Sequence, residues 1–393
     1  MPGAIRPTVV TVDLEALHRN VAVLRRRGRD LPVCGVVKAD AYGHGAVVVA
    51  KELERINCAM LAVTLVEEGV VLREAGIDLP IVVLGGAFGD DTGFDTIVRS
   101  RLTPVVWHRG QLEKLARAAR TCQVDYHFKI DTGMARLGTT HIGEFLTEAK
   151  RHPSLNLDGL MTHFANADVV GDEKNHVQIE KFAEGWEQVK AAGFHPRWRH
   201  IANTPSILTD VHGSIDTLLR PGGGLYGLDT RDQRDEARLE SVLTWTTKPV
   251  YVKAVTAGTT VSYGARWQAQ RDSIIATLPV GYADGYPRAL TAKAHTLIRG
   301  LRAPVIGTVC MDMCLIDVTD IPNVSTEDEV VLIGKQGNDK ITADDLGAWT
   351  GTISYEITCG IGARVPRRYV GSQETLREPP KSARQQQSMQ GRT

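Results

Sequence analysis

The sequence lacks the features that would place it in a membrane or in an oxidising compartment. No uninterrupted apolar run reaches the roughly 18 residues that a membrane-spanning helix requires. The first 20 residues hold no long apolar stretch and meet acidic side chains early, which argues against a secretory signal. The six cysteines are dispersed, with no Cys-x-x-Cys pair. These absences predict a cytoplasmic protein with reduced thiols and no membrane partner.

An excess of either charge is also missing. Lys plus Arg and Asp plus Glu both total 46, so the formal net charge is zero. Nothing in this balance favours a nucleic-acid partner. The closest cysteines, Cys310 and Cys314, lie in a strand-like run and are interpreted as buried thiols, so no metal site is predicted. What the chain does have is a hydrophobic share of 42% over 393 residues, enough for two ordinary domains or a barrel with an appendage.

Short apolar runs alternate with amphipathic segments between about residues 30 and 230. Six of these runs are predicted strands: VCGVV (33–37), MLAVT (60–64), IVVL (81–84), VDYHFKI (124–130), LDGLM (157–161) and WRHIA (198–202). Apolar strands separated by helices indicate a parallel sheet that is covered on both faces. The repeat suits a (β/α)8 TIM-type barrel. A doubly wound open sheet remains the alternative, because periodicity alone does not separate the two.

The pattern changes near residue 240. Strand-like runs follow one another there, with Gly, Pro and Asp between them, and helical periodicity returns only near 342–350. This predicts a β-rich second domain, and hence an α/β barrel at 13–238 followed by a β domain at 239–372. The remaining stretch, 373–393, is polar and rich in Gln, which predicts a disordered tail.

Two segments carry the chemistry of a candidate site. In VVKADAYGHG (36–45) an apolar strand ends at Lys38, and the carboxyl ends of barrel strands face the active site. A lysine in that partly desolvated position loses basicity and becomes a nucleophile. In RPGGGLYG (220–227) three glycines let backbone N–H groups approach a phosphate closely.

These segments belong to a longer series of motifs. In chain order they are VVKADAYGHG (36–45), KIDTGMARLG (129–138), THFANAD (162–168), HIANTPS (200–206), RPGGGLYG (220–227), VSYGARW (261–267), VGYADGYPR (280–288) and VCMDM (309–313). The series resembles that of the alanine racemases, over about residues 8 to 370. The resemblance implies a pyridoxal-phosphate (PLP) enzyme of fold-type III that acts as a homodimer. It implies interconversion of L- and D-alanine, and a supply of D-alanine for peptidoglycan.

The resemblance also implies roles for individual residues. Lys38 carries the cofactor, and Lys38 and Tyr263 are the two catalytic bases, with Tyr263 contributed by the partner subunit. Residues 1–12 hold a strand that packs with the β domain, and Lys129 is a candidate for carbamylation. The remaining cofactor contacts are Tyr42, His163, Asn203, Thr204, Arg220, Gly222 and Gly223. Substrate binding falls to Arg136, Met311 and Asp312.

One position departs from the family pattern. Ala363 stands where many members have a tyrosine that narrows the entrance, while Tyr282 matches the other gate tyrosine. A smaller side chain at this gate predicts that serine or larger amino acids are also accepted. The alternative is that alanine at 363 is an ordinary variation within the family. A broad-spectrum racemase of the same fold is therefore the main alternative. A fold-type III decarboxylase and a non-catalytic PLP-binding protein are the others.

Overall fold

The structure is a computed structural model that describes residues 5–88, 90–120, 122–228 and 238–371. Within these ranges, no helix is both long enough and apolar enough to cross a bilayer. The predicted disordered tail at 373–393 lies outside the described residues, as does most of the segment before the predicted boundary at 238/239. Both of these assignments stay predictions.

The first part of the chain builds a barrel. After β1 (Val9–Asp13), seven strands run in parallel: β2 (Cys34–Val36), β3 (Met60–Val63), β4 (Ile81–Val83), β5 (Thr103–Val106), β6 (Val124–Lys129), β7 (Leu155–Met161) and β8 (Trp198–His200). The helices of this part are α1 (Leu14–Arg27), α2 (Lys38–Gly43), α3 (Ala46–Arg55), α4 (Val66–Glu74), α5 (Thr92–Arg99), α6 (Arg109–Ala118), α7 (Ile142–Ala149), α8 (Glu173–Ala191) and α9 (Thr204–Thr209).

The seven strands pair in sequence order, and segment 217–221 closes the ring. On one side of that segment, the Arg220 amide donates to the Ala202 carbonyl at 3.0 Å. On the other side, the Cys34 and Val36 amides donate to the carbonyls of Leu219 and Pro221, at 2.7 and 3.1 Å. A doubly wound sheet would reverse its strand order at a switch point. The (β/α)8 fold is therefore confirmed.

Strand β6 shows how alternate side chains face the helical layer and the barrel interior. Its side chains alternate between two surroundings, as the period of a strand requires. Phe128 stacks on Phe145 of α7 with ring centres 3.8 Å apart, so it faces the helical layer. His127 and Lys129 alternate with it and point to the barrel interior, where His127 contacts His200. The carboxyl end of β6 thus delivers Lys129 to the barrel mouth.

The second part is a sheet-rich domain. Its elements are β9 (Leu243–Thr247), β10 (Tyr251–Val255), β11 (Thr260–Val261), β12 (Trp267–Gln268), β13 (Ser273–Leu278), β14 (His295–Ile298), β15 (Leu301–Ile306), β16 (Cys314–Asp317), β17 (Val330–Gln336), β18 (Asp339–Ile341), α10 (Ala343–Thr350), α11 (Ser354–Cys359) and β19 (Arg367–Val370). The β-rich second domain is thereby confirmed. In the described chain, β1 pairs antiparallel with β9 and parallel with β19, so the sheet joins both ends of the chain.

Several short elements escaped the sequence interpretation, and two of them show why. Strand β5 contains Pro104, which lacks an N–H and weakens the case for any strand that contains it. Helix α11 is six residues long, too short for a helical period to be recognised. It nevertheless brings Tyr355 to the barrel mouth.

Candidate active site

The backbone after Lys38 has an unusual conformation. Residues 39–42 of α2 are left-handed, with φ between 51° and 55°, a conformation that costs energy for residues other than glycine. Two carboxylates hold this turn: Glu68 accepts the Ala39 amide at 2.6 Å, and Asp40 accepts the Ala46 amide at 2.7 Å. The turn folds Tyr42 back, so that Lys38 Nζ lies 5.9 Å from the centre of its ring.

Lys38 lines a cavity of about 270 Å³ at the carboxyl ends of the barrel strands, called here the barrel cavity. Its lining residues are Lys38, Thr64, Leu84, Gly85, Phe88, Lys129, Arg136, Leu137, Met161, His163 and Arg220. Four of them are cationic and none is acidic. Such a lining attracts an anionic ligand.

Burial and mutual repulsion lower the basicity of this cluster. Burial, reinforced by Arg136, lowers the pKa of Lys38 below its ordinary value. Burial and Arg220 lower the pKa of Lys129 to about 8, and the same two causes bring the pKa of His163 well below its ordinary value. A larger fraction of Lys38 is therefore neutral at physiological pH, the form in which an amine attacks a carbonyl or accepts a proton.

Arg220 is held by groups of the barrel interior. Its Nη1 donates to Nδ1 of His200 at 2.9 Å and to the His200 carbonyl at 3.0 Å. Its Nη2 donates to the Thr162 carbonyl at 3.0 Å and to Nδ1 of His163 at 2.9 Å. Four of the five N–H groups are thus used, and among the described residues Nε has no hydrogen-bond partner. Since Arg220 lines the barrel cavity, this fifth donor is available to a ligand.

The three glycines of segment 222–224 form a cradle beside the cavity. A Cβ on Gly222 would lie 2.4 Å from the Tyr42 hydroxyl, and one on Gly223 would lie 2.3 Å from the Tyr355 hydroxyl. The Thr204 hydroxyl accepts hydrogen bonds from the amides of Gly222 and Gly224, both at 3.1 Å. The hydroxyl groups of Tyr42 and Tyr355 therefore lie close to a backbone that carries no side chains. Such an arrangement suits a phosphate.

Asn203 and Arg136 are each fixed by a local turn. The Asn203 side chain caps α9 by accepting the Ser206 amide at 3.1 Å, which holds Thr204 against the glycine cradle. Arg136 follows a tight loop in which Asp131 accepts the amides of Gly133 and Ala135, at 3.0 and 3.1 Å. The loop turns the guanidinium group of Arg136 over the rim of the barrel cavity.

Tyr263, Tyr282, Met311 and Asp312 lie elsewhere. They line a second, more open cavity of about 830 Å³ on the β domain, called here the outer cavity. Its full lining is Ser262, Tyr263, Thr277, Tyr282, Arg288, Thr308, Val309, Cys310, Met311, Asp312, Met313 and Leu315. Within one chain, the two predicted bases therefore line different cavities, with Lys38 in one and Tyr263 in the other.

The backbone of the loop that carries Tyr263 is tied by hydrogen bonds, although the Tyr263 side chain is 74% exposed. Ser262 has φ of 65°, and its hydroxyl donates to the Thr308 carbonyl at 2.7 Å. The Thr308 hydroxyl in turn donates to the Tyr263 carbonyl at 2.7 Å. The backbone at Tyr263 is thus held in place while its ring projects outward, and Asp312 is held similarly by Arg364 at 2.7 Å.

Comparison with known proteins identifies the family to which these motifs belong. The family models for the N-terminal and C-terminal domains of alanine racemase match residues 12–230 and 242–369. The chain belongs to the alanine racemase family.

Individual relatives cover nearly the whole chain. An alanine racemase of Sorangium cellulosum is 41% identical over 383 residues, covering 93% of this chain and 99% of the relative. One of Halothermothrix orenii is 42% identical over 371 residues, covering 93% and 97%. The solved alanine racemase of Streptomyces coelicolor A3(2) superposes with a TM-score of 0.88 at 32% identity, covering 94% of this chain and 99% of that chain. The resemblance stated from the sequence is confirmed.

Within this alanine racemase fold, sequence reasoning missed two residues at the site. Glu68 ties the Lys38 turn to the end of β3, since its carboxylate also accepts the Thr64 and Leu65 amides at 2.8 and 3.0 Å. Tyr355 packs 5.6 Å from the Tyr42 ring and reaches Gly223. Ala363, the predicted gate position, is exposed and lines neither of the two cavities.

Proposed function

We propose that this chain is a PLP-dependent racemase that interconverts L- and D-alanine, with Lys38 and Tyr263 as its two bases. The observation that carries the proposal is the barrel cavity, in which Lys38 of lowered pKa lies among three further cations and no carboxylate. The glycine cradle beside it supports the proposal, because it would give a phosphate a binding place of its own. The names of the relatives supply the choice of alanine.

The residues present fit PLP. Tyr42, Tyr355 and the Gly223 amide would hold the phosphate, since the Gly222 and Gly224 amides already donate to Thr204. Lys38 would hold the aldehyde carbon. Arg220 would face the ring nitrogen through its remaining Nε–H. When bound, PLP supplies the electron sink that makes the Cα hydrogen of an amino acid acidic.

The other side chains then have distinct tasks. Arg136 would bind the substrate carboxylate by a charge-assisted hydrogen bond. Lys38 would move the proton on one face of Cα, and Tyr263 would move it on the opposite face, so that the substrate need not turn over. Arg220 cannot accept a proton from the ring nitrogen, since an arginine stays charged. This distinguishes the site from that of a fold-type III decarboxylase, which would need a carboxylate at this position.

A homodimer completes the proposal. Tyr263 lies on a rigid loop, is largely exposed and lines a cavity other than that of Lys38. We therefore propose that the barrel cavity of one subunit is closed by the partner subunit's Tyr263, with Met311 and Asp312 beside it. In this proposal a monomer lacks one of the two bases at its barrel cavity.

The first experiment tests the reaction. Purified protein is incubated with PLP and L-alanine, and D-alanine is quantified by chiral chromatography. We expect racemisation to equal amounts of both enantiomers. A protein that binds PLP but forms no D-amino acid from any substrate would contradict the racemase and leave a non-catalytic PLP-binding protein.

The second experiment tests the shared site. Lys38→Ala and Tyr263→Phe subunits are each nearly inactive by this proposal, and they are mixed by joint refolding. A mixed dimer has one site with both substitutions and one intact site, so about a quarter of wild-type activity is expected at equal mixing. Mixing Lys38→Ala with itself is the control. No recovery in a demonstrated mixed dimer would place both bases in one subunit.

A further inference from the structure

Two buried histidines support Arg220 from inside the barrel. His127 of β6 and His200 of β8 are both fully buried. Nδ1 of His127 lies 2.9 Å from Nε2 of His200, and Nδ1 of His200 lies 2.9 Å from Nη1 of Arg220. A chain of three polar side chains thus runs through an interior that barrels usually fill with branched apolar residues.

The chemistry of the three groups fixes every proton in this chain. Arg220 only donates, so Nδ1 of His200 must accept and be unprotonated. Nε2 of His200 then carries the hydrogen of a neutral ring and donates to Nδ1 of His127. That leaves the hydrogen of a neutral His127 on Nε2. Burial and the neighbouring Arg220 also bring the pKa of His200 well below its ordinary value, which favours the neutral ring.

The hydrogen-bonded chain ends at His127. Its Nε2 is buried and has no hydrogen-bond partner among the described residues, and Oδ2 of Asp158 lies 3.8 Å from it. A carboxylate at that distance electrostatically favours a hydrogen on Nε2, in agreement with the direction that Arg220 imposes from the other end.

The neighbouring strand makes room for His127. A Cβ on Gly159 of β7 would lie 2.5 Å from Cγ of the His127 ring. The pairing of β6 with β7 also shifts register between Tyr126 and His127, and such bulges redirect a side chain. Gly159 leaves space for the His127 ring, and the bulge sets the direction of the His127 side chain. Together they place the ring beside His200.

We propose that His127 is a positioning residue for Arg220: by accepting the His200 hydrogen it fixes the His200 ring, which in turn fixes the guanidinium group. The inference rests on the proposed function only in so far as Arg220 serves PLP. The hydrogen-bond direction itself is independent of any cofactor.

The direction is tested first, without cofactor or activity. In apoprotein labelled with 15N-histidine, the imidazole 15N shifts of His127 and His200 are assigned by their loss in His127→Asn and His200→Asn. We expect both rings to be neutral with the hydrogen on Nε2. A hydrogen on Nδ1 of either ring, or a charged ring at neutral pH, overturns the inference.

The positioning role is tested with matched variants. In His127→Asn, Oδ1 replaces Nδ1 as the acceptor, whereas His127→Leu offers none; Leu157→Ala, on β7, is the control for a purely destabilising change. We expect His127→Leu to weaken PLP binding about tenfold and to lower kcat about tenfold, with KM for alanine changed less than about twofold. His127→Asn should stay within about threefold of the wild type in both.

The outcomes separate the claims. Equal losses in His127→Leu and Leu157→Ala at equal thermal destabilisation, or no rescue by His127→Asn, overturn the positioning role. A wild-type chain that binds no PLP overturns the proposed function instead, and the 15N result then still decides the direction of the hydrogen bonds.

Discussion

The barrel mouth and the outer cavity hold the two halves of the candidate site in opposite ways. Near Lys38, Arg220 is fixed by donating four N–H groups to neighbours within its own chain. At Tyr263 the backbone is tied and Asp312 is held by Arg364, but the side chains of Tyr263 and Met311 are 74% and 53% exposed. The barrel half is therefore enclosed within a single chain, whereas the half around Tyr263 is open in it.

The barrel mouth and the outer cavity should therefore control different properties of the protein. A buried cationic cluster costs stability and sets local pKa values, because the charged form of each group is poorly solvated. An exposed aromatic ring on a rigid loop costs little in a single chain and contributes when a partner buries it. Substitutions in the barrel should therefore alter cofactor binding and pH dependence. Substitutions in the outer cavity should alter catalysis with little effect on cofactor binding or on pH dependence.

The largest expected effect comes from Lys38→Ala. Loss of this amine removes both the attachment of PLP and one base, so we expect D-alanine formation to fall by more than about 1000-fold. Chiral chromatography measures it, and the visible absorbance of bound PLP should be lost with it. Lys51→Ala, at an exposed lysine of α3, is the matched control. Substantial activity in Lys38→Ala would remove the barrel cavity from the mechanism.

Tyr263→Phe should reduce inversion without changing cofactor binding. It removes only a hydroxyl, so we expect inversion to fall about 100–1000-fold while PLP binding stays unchanged. Lys38 should still exchange the Cα hydrogen of the enantiomer that it serves with deuterated water, and we propose that this enantiomer is D-alanine; NMR follows the exchange. Tyr251→Phe, at an exposed tyrosine of β10, is the control. Equal loss of exchange and inversion would indicate that Tyr263 does not act on one face alone.

The same comparison explains how far the sequence alone reaches. Parallel strands end at one edge of a barrel, so residues that follow predicted strands, such as Lys38 and Asn203, are expected together at its mouth. The glycine run at 222–224 is legible because only glycine permits such a close backbone approach. The barrel with its β-rich second domain, and the cluster of site residues in its mouth, were therefore predictable.

Other residues carry no such signal. Tyr355 reaches the cradle from a six-residue helix more than 120 residues away in sequence, and Glu68 acts through backbone amides that any residue supplies. His127 gives only a faint indication, a polar residue in the inward register of an apolar strand. The separation of Lys38 from Tyr263 within one chain depends on tertiary packing, which periodicity does not encode.

Lys129 tests the electrostatic side of the barrel. Its pKa of about 8 in the folded chain lies below that of a free lysine, near 10.4. Between these values the unfolded chain holds the proton and the folded chain does not, so this group makes the free energy of unfolding rise as pH rises through that interval. Lys129→Met should therefore raise Tm relative to the wild type by about 2–4 °C more at pH 7 than at pH 10.

Thermal unfolding at the two pH values measures this difference, with exposed Lys150→Met as the control. A difference between wild type and Lys129→Met that does not change with pH would contradict a free amine.

The smallest effect concerns substrate breadth, where a gate at Ala363 stays a prediction. Tyr355 contacts the cradle, whereas Ala363 is exposed and lines neither cavity, so a change at Tyr355 should matter more. We expect Tyr355→Ala to raise D-serine relative to D-alanine formation several-fold. Ala363→Tyr should lower the ratio by less than about twofold. A larger decrease with Ala363→Tyr would show that position 363 narrows the entrance in the dimer. Substrate breadth would then be controlled by Ala363 and not by Tyr355 at the barrel mouth.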